Sequence, residues 1–198
     1  MTTTSQAVRN VPTAGSYALD QSHSHVSFSA RHLMVTKVRG RFPVTEGQLE
    51  IAEDPTRSSV VATIDVAAVD SGDPKRDEHL RSADFFDTAN YPTVTFRSTN
   101  VDDHGNGNGE FTLSGELTVR DTTRPVTLKG EYLGSQASPW GDTRIGFTAE
   151  TEISRKDWGL DFNVALETGG VLVGDKIKLT IDTEWIKEYR ARRGTRRA

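Results

Sequence analysis

The 198-residue chain contains no cysteine. Disulfide bridges, cysteine-ligated metal sites and a thiolate nucleophile are therefore excluded. It also contains no run of about 18 consecutive apolar residues, so the sequence predicts no membrane-spanning helix. A chain of this length is expected to form one domain that buries its own core without disulfide or metal support.

Positive charge is scarce in the body of the chain and concentrated at its end. The net charge is −4, from 24 Lys and Arg against 28 Asp and Glu. Subtracting the five positive charges of residues 190–198 leaves −9 on residues 1–189. A body this acidic repels phosphate backbones, so nucleic acid is not an expected partner. The basic tail predicts transient contact with anionic membranes, and the alternative is a disordered solubilising tail. Its arginines are Arg190, Arg192, Arg193, Arg196 and Arg197.

Both ends of the chain are polar and aperiodic. Residues 1–14 lack the apolar core of a secretory signal peptide, which predicts a disordered N-terminal tail and a cytoplasmic location. Residues 190–198 are interpreted as a basic C-terminal tail. The folded domain is therefore expected to span residues 15–189.

Inside this domain, apolar residues alternate with polar ones at a period of two. Phe111, Leu113, Leu117 and Val119 fall on one face of a strand whose other face is polar. The same pattern recurs in residues 26–34, 60–66, 126–132, 145–153 and 177–185. Residues 15–20, 38–42, 47–51 and 93–101 carry further strand signals, and we expect about eight or nine strands in all. Short connections, such as a tight turn at residues 121–125, predict antiparallel pairing of neighbours.

One segment departs from the strand pattern. Pro74 follows Asp73, a favourable N-cap residue, and a short helix is predicted from Pro74 to Ser82. We interpret residues 74–90 as a helical crossover that covers one end of the sheet.

The alternation predicts an all-β fold, an eight-stranded antiparallel barrel. A sheet with one apolar face must cover that face, and a single short helix is too little to do so. The lumen of such a barrel is either filled by side chains or holds one small ligand. Several residues expected to point inward are small, which favours a ligand cavity over a filled core. They are Ala30, Ala62, Gly115, Gly130, Gly146 and Ala149.

The histidines support two different readings. His23 and His25 have the H-x-H spacing of metal ligands, so a cupin-like metal-dependent enzyme is the alternative function. Its third ligand would have to come from elsewhere in the chain. His32 is expected to point inward, either as a hydrogen-bonded core residue or as a polar contact for a ligand head group.

Several motifs, in this order, resemble those of the YceI-like family. They are residues 17–33, 38–42 with Gly47, 76–92, 95–98, 115–119, 123–126 and 155–159. Trp158 stands where this family usually has Phe. The resemblance covers about residues 15–188.

The resemblance implies a lipocalin-like barrel whose lumen binds a polyisoprenoid, isoprenoid quinone or similar long-chain lipid. It implies a non-catalytic carrier with no cofactor and no metal, and it suggests a homodimer. Exposed aromatic residues at the barrel rim, namely Phe85, Phe86 and Trp140, are the expected dimer contacts. The ligand-binding residues predicted from the inward faces are Phe28, His32, Met34, Phe42, Phe96, Leu113, Leu117, Phe147, Ala149, Trp158 and Leu179.

Overall fold

The computed structural model describes residues 11–33, 35–105, 107–165 and 171–189. In these residues the chain forms a closed barrel in which each strand pairs antiparallel with the next and β8 pairs with β1. The strands are β1 (Gly15–His32), β2 (Thr36–Ile51), β3 (Ser59–Asp65), β4 (Thr93–Asp103), β5 (Glu110–Val119), β6 (Thr122–Ala137), β7 (Thr143–Ser154) and β8 (Val173–Lys187). The predicted fold class, an eight-stranded antiparallel barrel, is confirmed.

The strand number is eight because predicted segments merge. β1 contains both residues 15–20 and the alternation that begins at Val26, and its register shifts between Ala18 and His25. Tyr17 is fully buried, whereas Val26 and Phe28 line the lumen, so the inward face passes from odd to even residue numbers. A bulge that inserts an extra residue has this effect on alternation.

The crossover between β3 and β4 contains the helix α1 (Pro74–Arg81). Asp73 Oδ1 accepts hydrogen bonds from the backbone N–H groups of Lys75 and Arg76, at 3.0 and 3.4 Å. The predicted helix and its N-cap are therefore confirmed. Two short 3₁₀ turns, Pro55–Arg57 and Arg155–Trp158, complete the helical structure of the described residues.

The turn predicted at residues 121–125 is wrong. β5 ends at Val119 and β6 begins at Thr122, so only Arg120 and Asp121 connect them. Arg120 takes the positive φ of 56° that a two-residue hairpin requires. Pro125 instead lies within β6, opposite Glu116.

The barrel has two different ends. The helix end carries the β1–β2 turn, α1 with its flanking residues 66–92, and the described residues of the segment 155–172. The opposite end carries the connections 52–58, 104–109 and 138–142. Tyr17, Tyr132, Ile145 and Trp185 form a buried cluster at that end. Burial raises the pKa of Tyr17 and of Tyr132, so both phenols stay neutral at physiological pH.

The first described residues lie against the opposite end of the barrel. Tyr17 Oη donates a 2.6 Å hydrogen bond to the backbone oxygen of Thr13, and Val11 and Pro12 border the lumen. Residues 1–10 and the basic tail 190–198 lie outside the described residues. Among the described residues, no helix has the length and apolar character needed to span a bilayer.

The exposure predicted for the rim aromatics holds for Trp140 but not for the two phenylalanines. Phe85 is only 8% exposed, and the ring of Phe86 packs edge-on against Phe42 with centroids 5.3 Å apart. Trp140 is 81% exposed. The crossover folds its aromatic residues over the barrel, because they cover apolar surface that would otherwise face water.

Candidate ligand-binding lumen

The barrel encloses a cavity of about 660 Å³, to which every strand contributes lining residues. This volume lies within the range of about 300–1,000 Å³ that is typical of small-molecule sites. Ten of the eleven predicted ligand-binding residues line the cavity: Phe28, His32, Phe42, Phe96, Leu113, Leu117, Phe147, Ala149, Trp158 and Leu179. The eleventh, Met34, lies outside the described residues.

The small residues act differently from what the sequence predicts. Gly115 and Gly130 leave no empty space, because aromatic rings lie directly over them. A Cβ atom built on Gly115 would come within 2.4 Å of the Phe96 ring, and one on Gly130 within 2.2 Å of the Phe111 ring. Gly146 does not face the lumen, since its nearest neighbour is the side chain of the exposed Leu133.

These glycines keep the lumen open indirectly. Phe111 is directly opposite Gly130 in the β5–β6 register, and Phe28 lies over Gly40 of β2 in the same way. Because glycine has no side chain, each ring can lie against the wall of the barrel instead of projecting toward its axis. The wall is therefore aromatic while the centre remains free.

Trp158 is both a core residue and a lining residue of the lumen. Its side chain is 4% exposed and belongs to the main buried cluster, yet it also lines the lumen. The indole Nε1–H donates a 3.0 Å hydrogen bond to the backbone oxygen of Leu117. That bond satisfies the only polar atom of the side chain, so an apolar ligand meets an apolar surface there.

The crossover and the 155–172 segment contribute lining residues that sequence reasoning missed. Arg76, His79 and Leu80 of α1 border the lumen, as does Phe162. Their i, i+3 and i+4 spacing, which places three side chains on one face of a helix, was the available signal. The imidazole of His79 lies edge-on to the rings of Phe85 and Phe162, at centroid distances of 5.1 and 4.7 Å.

Arg155 fastens the 155–172 segment to the barrel. Its guanidinium is 3% exposed and donates hydrogen bonds to the backbone oxygens of Leu160, Phe162 and Gly174. It also forms an ion pair with Asp175 at 3.0 Å. These bonds compensate the burial of its charge, and they hold Phe162 beside the lumen.

Charged residues along the lumen are segregated by sign. Among the described lining residues, the charged ones at the helix end are Arg31, Lys75, Arg76 and Arg155, and those at the opposite end are Asp103 and Glu110. Between them the wall is mostly aliphatic and aromatic. His32 lies at the helix end, and the structure records no hydrogen bond between its ring and any described residue.

The H-x-H pair does not converge on one site. His25 Nε2 lies 3.7 Å from Asp182 Oδ2, whereas His23 Nδ1 lies 3.1 Å from Asp20 Oδ2. Within the described part of the chain, Asp20, His23 and Glu184 are the only three donors close enough together for a metal ion.

A guanidinium already lies between the two carboxylates of that group. Arg144 Nη1 donates to Asp20 Oδ2 at 2.5 Å and to Glu184 Oε1, and its Nε donates to Asp142. Burial by itself would raise the pKa of Asp20, but hydrogen bonds from Ser22, His23 and Arg144 outweigh it and hold the pKa well below its usual range. The arrangement is an ion-pair network that joins β1, β7 and β8.

Comparison with known proteins agrees with this architecture. The chain is 36% identical over 178 residues to Protein YceI of Escherichia coli O157:H7, covering 88% of each chain. The crystal structure of Burkholderia cenocepacia BcnA matches with a TM-score of 0.69 and 22% identity, over 84% of this chain and 98% of that one. A polyisoprenoid binding domain from Saccharophagus degradans, implicated in plant cell wall breakdown, matches with a TM-score of 0.63 and 16% identity, over 87% and 98%. The family model for the YceI-like domain matches residues 17–185, and the chain therefore belongs to the YceI-like family.

Proposed function

We propose that this protein is a non-catalytic carrier that holds one long apolar chain, a polyisoprenoid, an isoprenoid quinone or a similar lipid, inside the barrel. The observation that carries the proposal is the apolar lumen of about 660 Å³ that runs between the two ends of the barrel. An empty cavity of this kind would be costly in water unless an apolar ligand filled it.

The energetics of such a ligand are favourable. Each buried methylene unit contributes about 0.8 kcal/mol, so a prenyl chain that enters the lumen gains several kcal/mol before its ordering cost is subtracted. The aromatic rings of Phe28, Phe96 and Phe111, which lie over glycines, offer flat surfaces to a flexible chain. A structural neighbour of the same fold is described as a polyisoprenoid binding domain, which is consistent with this ligand class.

The polar groups that face the lumen support binding rather than bond cleavage. The charged ones lie at the two ends, and the hydroxyls of Thr148 and Thr151 near the middle are already bonded to Asp182 and to the backbone oxygen of Thr127. Catalysis requires a positioned acid, base or nucleophile beside the reacting atoms, and the central wall supplies none among the described residues. A lipid carrier needs no such groups.

The test is native mass spectrometry of the protein purified from its own host, followed by organic extraction. We expect a stoichiometric adduct whose mass matches a prenyl or other long-chain lipid. Purified protein without ligand should then take up geranylgeraniol. A ligand-free protein that binds neither geranylgeraniol nor a long-chain fatty acid would contradict the proposal. The cytoplasmic location stays a prediction, which fractionation of the host would check.

A further inference from the structure

We infer that the β1–β2 hairpin is a docking surface for anionic lipid bilayers, and that the tip of the hairpin, Leu33 and Val35, enters the membrane. The inference concerns the outside of the barrel and goes beyond the proposed carrier function. Two neighbouring features of the hairpin carry it: an exposed apolar tip and a group of cations that have no ion-pair partner among the described residues.

The tip presents apolar side chains to solvent. Val35 is 81% exposed and Leu33 is 40% exposed, and both lie between β1 and β2. Two backbone hydrogen bonds connect the tip to Val164, which is also exposed: Leu33 N–H donates to Leu172 O at 2.9 Å, and Leu172 N–H donates to Val164 O at 3.0 Å. Grouped apolar residues of this kind mark an interaction site, whereas scattered ones do not.

The backbone of the tip favours a residue other than leucine. Leu33 has a φ of 51°, in the left-handed region where glycine and asparagine are the usual residues. A leucine is held there at a conformational cost, and its side chain is not buried in return. Contact with an apolar layer outside the protein accounts for a leucine at this position.

Cations follow directly behind the tip. Residues 21–45 contain no Asp or Glu, in a chain with 28 acidic residues. Their Lys and Arg residues are Arg31, Lys37, Arg39 and Arg41. Because Val38 and Gly40 face the interior of the barrel, alternation places the cations of β2 on its outer face.

Most of these cations lack a counter-charge within the described part of the chain. Arg31, Lys37 and Arg39 form no ion pair there, whereas Arg41 pairs with Asp70 at 3.2 Å. Arg31 and Lys37 also lie directly opposite each other in the β1–β2 register, where like charges destabilise a sheet. An anionic surface would relieve this repulsion and compensate the three unpaired charges.

The order of residues along the hairpin matches the layers of an anionic bilayer. Lys37 and Arg39 follow Val35 by two and four residues, which places their Cα atoms about 7 and 13 Å behind the tip. An apolar surface that enters a bilayer by about 5–10 Å therefore leaves these cations near the lipid phosphates. An acidic protein surface would match the cations but not the apolar tip.

The hairpin lies at one end of the lumen and apart from the basic tail. His32 and Leu172, which adjoin the tip, line the lumen, so docking brings this end of the lumen to the lipid surface. β8 ends at Lys187, opposite Tyr17, at the other end of the barrel. The hairpin and the tail are therefore different membrane contacts.

The first experiment measures binding of the full-length protein to phosphatidylcholine vesicles, with or without about one third phosphatidylglycerol, at physiological salt. We expect much stronger binding to the anionic vesicles. K37Q/R39Q, which breaks no recorded side-chain bond, should lower that affinity about tenfold. The matched control R97Q/K129Q makes the same change of charge on the outer faces of β4 and β6, and it should bind like the wild type.

A second pair of variants tests the apolar tip. L33N/V35T removes its apolar surface while asparagine tolerates the positive φ, and it should weaken binding severalfold. Because the chain has no cysteine, Val35→Cys and Trp140→Cys each accept a single NBD label, at the hairpin and at the opposite end. On anionic vesicles the label at residue 35 should shift its emission to shorter wavelength and be quenched by brominated lipid chains, whereas the label at residue 140 should do neither.

Several results would overturn the inference. Equal losses in K37Q/R39Q and R97Q/K129Q would show a general effect of charge, and a shift of the label at residue 140 instead of residue 35 would show docking through the other end. Binding of polyglutamate without binding of anionic vesicles would identify an acidic protein as the partner. Uptake of geranylgeraniol in solution needs no bilayer, so K37Q/R39Q should retain it, and the carrier function is tested separately.

Discussion

Replacing Ala149 with Trp should obstruct the lumen near the middle of its length. Ala149 lies halfway along β7, opposite Gly130 and Ile181, and it lines the cavity. An indole in place of the methyl group adds about 150 Å³ of side-chain volume. That increase is roughly a quarter of the cavity of about 660 Å³.

The expected loss of affinity follows from the burial of the chain. If the indole displaces about four methylene units of a ligand, the loss is about 3 kcal/mol, or roughly 200-fold in the dissociation constant. Adding volume to a filled core would cost about 1–3 kcal/mol of stability. We expect the cost to lie at the low end of that range, because the indole enters space that is open.

The assay is a fluorescence titration with cis-parinaric acid, together with circular dichroism and urea unfolding. The control is Lys129→Trp, which places the same indole on the exposed outer face of β6, beside the strand position of Gly130. The control should bind the probe like the wild type. Unchanged affinity in Ala149→Trp would refute a ligand site in the lumen, and a destabilisation of about 3 kcal/mol or more would indicate a filled core.

Four further predictions concern the wall, an ion pair, the tail and assembly. Gly130→Ala should push the Phe111 ring into the lumen and weaken parinaric acid binding severalfold. In the control Gly146→Ala the new Cβ would meet Leu133 at an ordinary 3.6 Å, so binding should be unchanged. Equal effects of the two substitutions would contradict the view that Gly130 keeps the lumen open by letting the Phe111 ring lie against the wall. Arg144→Met should lower the free energy of unfolding at neutral pH. Because the pKa of Asp20 is lowered in the folded state, Asp20 contributes to the free energy of unfolding above its unfolded pKa, and this contribution is lost as the pH falls below about 4. In urea titrations, the stability difference between wild type and variant should therefore shrink at such low pH. A difference that does not depend on pH would count against the ion pair. Deleting residues 190–198 should reduce pelleting with anionic vesicles at low salt, since each arginine contributes about 1 kcal/mol near such a surface, and equal pelleting of both proteins would argue against a membrane role for the tail. Sedimentation velocity at micromolar concentration should show a dimer, to which the exposed Trp140 offers an aromatic contact, and a monomer alone would disprove that assembly.

Local patterns in the sequence were sufficient to predict the strands, the helix and most of the residues that line the lumen. Alternation places Leu113, Leu117 and Ala149 on inward faces because successive side chains in a strand point to opposite sides. Asp73 followed by Pro74 predicts the start of α1 because both act on their immediate neighbours. Such signals need no knowledge of distant residues.

Alternation fails where the backbone is irregular. Between Tyr17 and Val26 the bulge in β1 changes which residues point inward, from odd-numbered to even-numbered ones, and no residue type in that stretch signals the bulge. A one-residue offset changes the face of every following side chain. Gly146 is a different case, because β7 is regular. Phe147 and Ala149 line the cavity, so alternation itself places Gly146 on the outer face, where Leu133 is its neighbour.

The sequence by itself determined that this chain is a one-sided antiparallel sheet that closes into a barrel, because the period of two and the short connections are local properties. Only the tertiary structure decided how the lumen stays open and where its charges lie. Phe111 meets Gly130 through strand register, and Lys75 and Asp103 reach opposite ends of one cavity through the path of the chain. Both relations join residues that are far apart in sequence, and they exist only once the barrel has closed.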